Sequence, residues 1–476
     1  MKAFNHPQTK IKSKLSAFIP IRYVRELAVA SEFCVRTARK IDPVSFVLAF
    51  FLCCSSRKTT LSNWVTQLSL LNGSVDKKNI PSKQAICKRL TDTCSAFAEA
   101  LLTRLIASRV NTELEKITSG NTRGKSKSEG GGFRFFKAVL VQDSTTISLP
   151  QSLSGFFKGN VAGGITKAVA RIQCVLDITT MKFRHFQLGS FCENDQSAAH
   201  MICHLVSQGT LVVRDLGYFV LRSFREIADL GGYYLSRAKY GLIYYDALTG
   251  KELPLKSLLR SVKAPTSIRV IVGKEEQLPA RLIIIPLDKK VAEARRRQAR
   301  NDRDKRTNHT REYMMALGYQ LMLTNVEEDM WTPLHAAEAY RLRWSIECIF
   351  KGFKSAGLHM DKFCGQIKTN GERARSTLLL TLCFLVMQLI IVQAFYHRLS
   401  QHEPPGKKRK DNPDKSTHKA WLSVNKMLTW ICDNFLTWII APPDLQIFYL
   451  RTFCCYEHRK RRTNMAQNLN LACALS

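Results

Sequence analysis

One stretch of the sequence does most to decide the fold. It covers residues 340–354 and reads Tyr340-Arg-Leu-Arg-Trp-Ser-Ile-Glu-Cys-Ile-Phe-Lys-Gly-Phe-Lys354. A helix turns about 100° per residue, so one narrow stripe would be polar; its members are Tyr340, Arg343, Glu347 and Lys354. A separate apolar stripe would face the core; it consists of Leu342, Ile346, Ile349, Phe350 and Phe353. We therefore predict one amphipathic helix, from the capping pair Thr332-Pro333 to Gly357.

The polar stripe has the composition of a site for a metal ion and a phosphate. Glu347 offers carboxylate oxygens, which hard divalent cations prefer as ligands. Arg343 and Lys354 offer positive charge and donors to phosphate oxygens. The alternative is a surface helix with ordinary solvated charges. Acidic residues at two upstream strand ends favour the first interpretation.

The composition points to a polyanionic partner. The chain has 476 residues, with 72 Lys and Arg against 38 Asp and Glu, for a net charge of +34. Such an excess is typical of proteins that bind nucleic acid or an acidic membrane surface. The hydrophobic content of 45% is sufficient for a large core.

Several features predict a cytoplasmic protein with no membrane partner. The first residues lack the apolar segment of a signal peptide. The 15 cysteines are scattered through apolar stretches without a Cys-x-x-Cys pair, which is typical of reduced core thiols. Residues 377–396 are long and apolar enough to span a membrane, but polar residues interrupt them. We interpret them as a buried helix.

One group of metal-binding residue types needs a separate interpretation. Cys192, His200, Cys203 and His204 lie close together in the sequence. Their spacing matches no common zinc motif. We interpret them as structural residues rather than as a zinc site.

The central region of the chain predicts a mixed α/β sheet with acidic residues at strand ends. The predicted order is strand, strand, strand, helix, strand; the segments are 136–141, 170–178, 182–188, 194–208 and 210–214. Asp143 follows the first strand and Asp215 follows the last. Sheets of this kind bind ligands beyond the strand ends, where loops begin.

Asp143, Asp215 and Glu347 together suggest a phosphodiester site. Hydrolysis and transfer of phosphodiesters commonly use two divalent ions about 3.5–4 Å apart. Three carboxylates from two strands and a helix could hold such a pair, and Mg²⁺ suits an oxygen-rich site. Glu338 is a rival for Glu347, but its helical angle points away from the polar stripe. Asp177 is a rival for either aspartate, but we place it within a strand.

At this point the sequence resembles the DDE transposases of bacterial insertion sequences, in the group called insertion sequence four. The first matching motifs are Asp143-Ser144-Thr145 with Leu149-Pro150, and Asp215-Leu216-Gly217-Tyr218. The third is the spacing Tyr-x2-Arg-x3-Glu-x6-Lys, which residues 340–354 reproduce. The resemblance covers roughly residues 30–400.

The resemblance implies a ribonuclease-H-like mixed-sheet core with a β-rich insertion, flanked by α-helical terminal regions. In chain order we expect a helical DNA-binding region, the first half of the catalytic core, the insertion, the second half of the core and a helical C-terminal region. They would cover residues 1–130, 131–231, 232–325, 326–400 and 401–476, respectively.

The resemblance also implies roles for single residues. Asp143, Asp215 and Glu347 would bind two Mg²⁺ ions, for which Mn²⁺ could substitute. Further residues would contact DNA phosphates; they are Tyr340, Arg343 and Lys354. The reaction would be cut-and-paste transposition by hydrolysis and strand transfer. The substrates would be the element's terminal repeats and the target DNA, held by a homodimer on paired ends.

Some relatives of this type cut the second strand through a DNA hairpin, with an aromatic side chain stacked on a flipped base. Tyr319 is our candidate, both because it lies near the end of the insertion and because its side chain is aromatic. Base stacking on an aromatic ring is worth about 1–3 kcal/mol. Its alternative is a buried strand tyrosine. Trp331 and Tyr218 are weaker candidates.

Two other functions stay open on the sequence. The first is a ribonuclease-H-like nuclease without strand transfer, whose catalytic residues would be the same. The second is a DNA-binding derivative that has kept the fold and lost catalysis. The complete set of acidic residues argues against the second.

Overall fold

The computed structural model describes most of the chain, and the account below is confined to those residues. They are residues 13–14, 21–35, 41–56, 60–73, 80–107, 135–180, 182–302, 310–355, 370–400 and 424–453. The sequence-based prediction that a helix ends at Gly357 falls outside them.

A mixed β-sheet runs through the described residues. Its ten strands are β1 (Ala138–Leu149), β2 (Lys158–Ala162), β3 (Ile165–Asp177), β4 (Lys182–Ser190), β5 (Thr210–Arg214), β6 (Tyr233–Arg237), β7 (Tyr244–Asp246), β8 (Thr266–Val272), β9 (Leu278–Pro286) and β10 (Tyr319–Thr324). The strand order is β2-β3-β1-β5-β6-β10-β9-β8-β7, and β4 also pairs with β3.

The pairing directions identify the core of this sheet. β1 pairs antiparallel with β3 and parallel with β5, and β5 pairs parallel with β6. The remaining strands, from β10 outward to β7, are antiparallel. The predicted mixed α/β fold class is confirmed, because parallel and antiparallel strands share one sheet that helices flank.

Fifteen helices surround the sheet in the described residues. Those before it are α1 (Ile21–Ala30), α2 (Pro43–Ser55), α3 (Leu61–Leu71), α4 (Lys83–Arg89) and α5 (Asp92–Ala107). Those between strands are α6 (Leu221–Asp229), α7 (Leu255–Ser261), α8 (Lys289–Arg300) and α9 (Arg311–Ala316). Those after it are α10 (Pro333–Arg341), α11 (Trp344–Ser355), α12 (Gly371–Ser400), α13 (Val424–Asp433), α14 (Phe435–Ile440) and α15 (Pro443–Phe453).

The strands between residues 232 and 325 continue the central sheet. β6 is hydrogen-bonded both to β5 and to β10, so no break in pairing separates the core strands from the later ones. The predicted division of the chain into five regions stays a prediction. In the structure, residues 131–231 and 232–325 share one sheet.

Each face of the sheet packs against its own hydrophobic core. Val141, Val213 and Leu235 face the larger core, which includes α2, α5, α11 and α12. Leu140, Val212 and Tyr234 face the smaller core, which includes α6. Because successive side chains of a strand point to opposite faces, neighbouring residues along β1 and β5 belong to different cores.

The strand boundaries differ from the sequence-based prediction at three points. β1 does not end before Asp143 but continues to Leu149, because its second half pairs with β3. β2 was not predicted. Asp177, expected within a strand, is the last residue of β3. In addition, the helix expected from residue 194 to 208 is a short 3₁₀ helix, Ala199–Leu205.

The predicted helix around residues 340–354 is two helices. α10 begins as expected, with the Thr332 hydroxyl accepting from the backbone N–H of His335 and with Pro333 at the first position. It ends at Arg341, and α11 begins at Trp344. Leu342 and Arg343 form the turn between them, where the Leu342 side chain is buried in the larger core.

The long apolar segment packs inside the protein, as predicted. Among the described residues, one helix is long and apolar enough to cross a membrane, and it covers Gly371–Val392 within α12. Of its apolar window, 89% is buried. Its serine and threonine hydroxyls find partners within the protein: Ser376 bonds to Ser95, and Thr381 donates to the Thr377 carbonyl.

Candidate active site

The sheet register brings Asp143 and Asp215 side by side. β1 and β5 are parallel, and their last paired residues are Gln142 and Arg214. The next residue on each strand is the aspartate. Neighbouring strands lie about 4.8 Å apart, so the two carboxylates start from adjacent positions. Side chains two residues apart along a strand point to the same face of the sheet. Asp143 therefore shares the face of Val141, and Asp215 shares that of Val213; this is the face of the larger core, where α11 packs.

Arg343 joins Asp143 to Glu347. Its guanidinium Nη1 lies 3.2 Å from Oδ2 of Asp143, and its Nη2 lies 2.6 Å from Oε1 of Glu347. Arg343 and Asp143 each expose 15% of the side chain, and Glu347 exposes 29%. The turn between α10 and α11 thus places a partly shielded cation between two carboxylates.

Tyr340 ties Asp215 into the same group. Its hydroxyl donates to Oδ1 of Asp215 at 2.9 Å. Its ring lies 5.9 Å from the guanidinium carbon of Arg343. Each of the five residues just described was predicted either from the polar stripe or from a strand end, and the structure brings all of them together: Asp143, Asp215, Tyr340, Arg343 and Glu347.

The electrostatics of the site follow from burial and from the crowding of carboxylates. Burial raises the pKa of Asp143 to about 6, and Glu347 and Asp215 contribute to this rise against the opposing effect of Arg343. Burial would lower the pKa of Arg343, but four neighbours raise it above its ordinary value; they are Asp215, Tyr340, Glu347 and Asp143. Burial, and then the charge of Asp215, raises the pKa of Tyr340.

Lys354 and Tyr319 lie apart from these contacts. Lys354 is exposed near the end of α11, and partial desolvation lowers its pKa. Tyr319 begins β10, packs against the smaller core and donates its hydroxyl to the Leu259 carbonyl at 2.7 Å. Trp331 and Tyr218 are buried. Tyr319 is therefore partly buried, with its hydroxyl bonded within the protein.

The rivals for the acidic positions have other surroundings. Glu338 is exposed on α10. Asp177 is buried at the end of β3, where it accepts from Thr179 and pairs with Arg184 at 2.9 Å. Glu347 is the residue that pairs with Arg343, so the choice of Glu347 over Glu338 agrees with the geometry.

The donor set fits a divalent cation in its chemistry. Three carboxylates surround one guanidinium, and oxygen ligands of this kind suit Mg²⁺ or Mn²⁺. Within the described residues, no three His, Cys, Asp or Glu side chains are grouped closely enough to hold a metal ion as they stand. Arg343 lies between the carboxylates, so its side chain would have to move aside for a cation.

A comparison with known protein families matches this site to one of them. The family described as "Transposase DDE domain" covers residues 134–385, which contain all three carboxylates. This match extends over more than half of the chain.

The chain belongs to the transposase DDE domain family. The chain is similar to insertion-sequence transposases from Bacillus thuringiensis, including those of elements IS231B and IS231E. The transposase of element IS231B, from subspecies berliner, is 26% identical over 46% of this chain and 50% of its own length. The transposase of element IS231E, from subspecies finitimus, is 24% identical over 58% of this chain and 59% of its own length. The chain spans about half the length of the curated relatives it matches.

The DDE domain also has a distant structural likeness. A solved piggyBac transposase synaptic complex with hairpin DNA matches 86% of this chain and 84% of its own, with 9% identity and a TM-score of 0.33. A TM-score this low supports no conclusion about this chain.

The structure adds residues to the DDE domain site that sequence reasoning missed. Asp195 lies behind Asp143 on the opposite face of the sheet, where it pairs with Arg171 at 2.6 Å. The charge of Arg237 lowers the pKa of Tyr340, which places it near the site. Trp344, next to Arg343, exposes 45% of its surface, and Lys351 lies 4.9 Å from its ring. Its position after Arg343 was visible in the sequence, but its exposure was not.

The members of the cysteine and histidine group have separate partners within the protein. His200 and Cys203 both contact the carboxylate of Glu226, whereas the Cys192 thiol bonds to the Lys158 carbonyl. The His204 ring lies against the ring of His185. No metal-holding group is present there among the residues with described positions.

Proposed function

We propose that this chain is a DDE transposase that moves an insertion sequence by cut-and-paste DNA transposition. The observation that carries the proposal is the convergence of Asp143, Asp215 and Glu347 around Arg343 and Tyr340. The family membership supports it, because all these residues lie within the matched segment. The spacing from Tyr340 to Lys354 supports the narrower assignment to the insertion sequence four group.

Asp143, Asp215 and Glu347 would hold two Mg²⁺ ions, or Mn²⁺ in their place. Such ions activate a nucleophile and stabilise the leaving oxygen of a phosphodiester. The protein's role is to supply ionised carboxylates from fixed positions. With a pKa of about 6, Asp143 is mostly ionised at neutral pH and can serve as a ligand there. Asp215 and Glu347 would complete the set from the end of β5 and the first turn of α11.

Arg343, Tyr340 and Lys354 would contact the DNA backbone. Arg343 is held by Asp143 and Glu347, so it becomes available to a phosphate when the charge of those carboxylates is neutralised by a cation. A guanidinium binds phosphate with two parallel hydrogen bonds. Lys354, exposed near the end of α11, provides a second positive charge further along the DNA backbone.

A cationic surface beside the site would extend this contact. The charge of Arg237 lowers the pKa of both Tyr340, in the site, and Arg295, on α8. Positive side chains are exposed along α8; they are Lys289, Lys290, Arg297 and Arg300. This surface supports double-stranded DNA as the partner, both the element's terminal repeats and the target.

The oligomeric state, the cellular location and the residue for base stacking are also part of the proposal, and each follows from transposition as the function. Two element ends must be paired, which calls for a homodimer. A bacterial element is moved in the cytoplasm, at the nucleoid. If a flipped base is held during cleavage, Trp344 is better exposed for stacking than Tyr319, Trp331 or Tyr218.

The test is cleavage of a DNA duplex that carries the element's terminal repeat, with Mg²⁺ and then Mn²⁺. We expect Asp215→Asn and Glu347→Gln to lower the cleavage rate at least about 10³-fold, because each removes a metal ligand, while DNA binding persists. Glu338→Gln is the matched control on α10 and should cleave normally. Normal cleavage by Glu347→Gln would refute the assignment.

The same assay separates the two alternative functions. A nuclease would cleave the repeat without joining its 3′ ends to target DNA. An inactive derivative would bind the repeat and never nick it with either metal. Joined products in the wild type, absent in Asp215→Asn, would exclude both alternatives.

A further inference from the structure

The carboxylate of Asp195 gathers donors behind the catalytic face of the sheet. Its Oδ1 accepts from Oγ of Ser144 at 2.8 Å, from Nη1 of Arg171 at 2.6 Å and from Nε2 of Gln173 at 3.1 Å. Ser144 lies on β1, and the other two donors lie on β3. One carboxylate therefore fixes two strands to the segment that precedes the 3₁₀ helix Ala199–Leu205.

Ser144 carries this contact through the sheet to Asp143. The two residues are consecutive on β1, so their side chains point to opposite faces. The backbone N–H of Ser144 donates to Oδ1 of Asp143 at 2.8 Å, and its hydroxyl donates to Asp195. The position of Ser144 thus affects both the side-chain orientation of Asp143 and the distance between this section of β1 and Asp195.

The same carboxylate also contacts the turn after Asp215. A Cβ atom at Gly217 would lie 2.9 Å from Oδ2 of Asp195, so the glycine allows close approach of the turn. Tyr218, buried in that turn, donates its hydroxyl to Oε1 of Gln173, and Nε2 of Gln173 in turn donates to Asp195. The network therefore reaches both acidic strand positions.

The backbone that follows Asp195 makes two further ties of the same kind. The carbonyl of Ala198 accepts from Nε2 of Gln142 at 2.9 Å, and the carbonyl of Ala199 accepts from the buried guanidinium of Arg214. Gln142 precedes Asp143, and Arg214 precedes Asp215. The residues that precede both aspartates are thus bound to one short segment, 195–199.

Stability alone gives a weak reason for a network of this kind. Arg171 is 8% exposed and Asp195 has a side chain that is 25% exposed, so the pair is largely withdrawn from water. The desolvation cost of such a pair offsets much of its attraction, and well-packed apolar residues often stabilise a core as well. What an apolar layer cannot supply is directional bonding, which a metal site needs because its ligands must be held to within about 0.5 Å.

We propose that Asp195 is a positioning residue, which sets the relative placement of Asp143 and Asp215 through Ser144, Gln173 and Tyr218 from the far face of the sheet. This inference rests on the proposed function, because it assumes that the two aspartates hold metal ions. It assigns no contact with DNA or metal to Asp195 itself.

The test is Mn²⁺ affinity, measured by isothermal titration calorimetry on the full chain without DNA. We expect Asp195→Asn to weaken Mn²⁺ binding about 10- to 100-fold, the usual effect of losing a residue that orients metal ligands. The affinity for terminal-repeat DNA without metal should change less than about twofold. A purely structural role would not separate these two readouts.

Asp177→Asn is the matched control. Asp177 is a buried carboxylate at the end of β3 and, like Asp195, it pairs with an arginine, but it lies opposite Leu140 on β1 rather than near Asp143. Equal losses of Mn²⁺ affinity in Asp177→Asn and Asp195→Asn would overturn the inference, as would wild-type affinity in Asp195→Asn.

A milder variant decides the question if Asp195→Asn does not fold. Ser144→Ala removes one hydroxyl and leaves the Asp195–Arg171 pair in place. We expect a several-fold loss of Mn²⁺ affinity, and an unchanged affinity would overturn the inference. If the wild type itself binds no Mn²⁺ and cleaves no DNA, the proposed function fails instead.

Discussion

In its proposed role as a metal ligand, Asp143 meets three requirements that oppose one another. It must be ionised, it must be shielded from water, and it must tolerate Glu347 and Asp215 nearby. Burial and the two carboxylates raise its pKa, and the Arg343 guanidinium only partly offsets them. Without a bound cation, this residue therefore destabilises the fold at neutral pH.

The pKa of Asp143 predicts a pH-dependent effect of Asp143→Asn on stability. The folded pKa is about 6 and the ordinary value is 3.8, so the folded state binds the proton more tightly. The stability that protonated Asp143 contributes is fully present below about pH 4 and is lost as the pH rises through 6. Relative to the wild type, Asp143→Asn should gain up to about 3 kcal/mol between pH 4 and pH 7.5.

Urea unfolding of both proteins in a chelator, at several pH values, measures this gain. The comparison uses the difference between the two proteins, so other titrating groups largely cancel. A stability difference that stays constant from pH 4 to pH 7.5 would contradict the raised pKa.

The position of Arg343 between two carboxylates predicts a second effect, which concerns the affinity for a metal ion. A cation can bind Asp143 and Glu347 only after the guanidinium has left them. Charge-assisted hydrogen bonds are worth about 1.5–3 kcal/mol each. We therefore expect Arg343→Ala to tighten Mn²⁺ binding in the absence of DNA by at least about tenfold, while cleavage falls because a phosphate contact is lost.

Calorimetry with Mn²⁺ measures this change, and Lys354→Ala is the control. Lys354 lies on the same helix as Glu347, but it is exposed near the helix end. Its loss should leave Mn²⁺ affinity unchanged. Weaker Mn²⁺ binding in Arg343→Ala would mean that Arg343 orients the carboxylates rather than competing for them.

At the scale of elements, the helices α10 and α11 are positioned from the sheet by Arg281. This buried residue on β9 donates to the Val326 carbonyl at 2.7 Å and to the Trp331 carbonyl at 2.6 Å. Both carbonyls belong to the loop that enters α10. The strands after residue 232 thus support the helix that carries Tyr340.

Arg281→Met should therefore reduce both stability and cleavage. Two buried carbonyls lose their charged donor, which costs roughly 2–5 kcal/mol of unfolding free energy. The control is Arg269→Met: Arg269 is paired directly across from Arg281 on β8, but it is exposed and pairs with Glu327 on the surface. Its loss should cost less than about 1 kcal/mol. Denaturant unfolding and repeat cleavage measure the two effects, and equal costs would contradict this role of Arg281.

At the scale of the whole molecule, the net charge of +34 predicts strongly salt-dependent DNA binding. Each phosphate contact releases counterions, so the logarithm of the affinity falls linearly with the logarithm of the salt concentration. We expect Lys354→Ala to reduce the magnitude of this slope by about one. Lys251→Ala should leave it unchanged, because Lys251 follows β7 at the opposite edge of the sheet.

Fluorescence anisotropy with terminal-repeat DNA between about 50 and 300 mM salt measures these slopes. The two variants remove the same charge from the chain, so a general effect of net charge would be equal in both. Equal slopes for the two variants would remove Lys354 from the DNA contact.

Features that depend on local spacing and local hydrogen bonds could be predicted from the amino-acid sequence. The spacing of the residues from Tyr340 to Glu347 follows from helical geometry. Although a turn at Leu342 and Arg343 interrupts the predicted helix, Arg343 and Glu347 still pair, because they lie four residues apart. The cap at Thr332 is also local. Asp215 after β5 could be predicted because a short buried strand ends there in a turn.

Features that depend on contacts between distant segments became visible only in the folded chain. Asp143 is inside a strand because β3 continues the pairing beyond β5. Asp195 reaches Ser144 across 51 positions, and Arg343 reaches Asp143 across 200. The periodicity of a segment reports which of its faces is buried, but not which distant residue that face meets. The sequence could therefore name the three carboxylates, whereas folding alone placed Arg343 between them and Asp195 behind them.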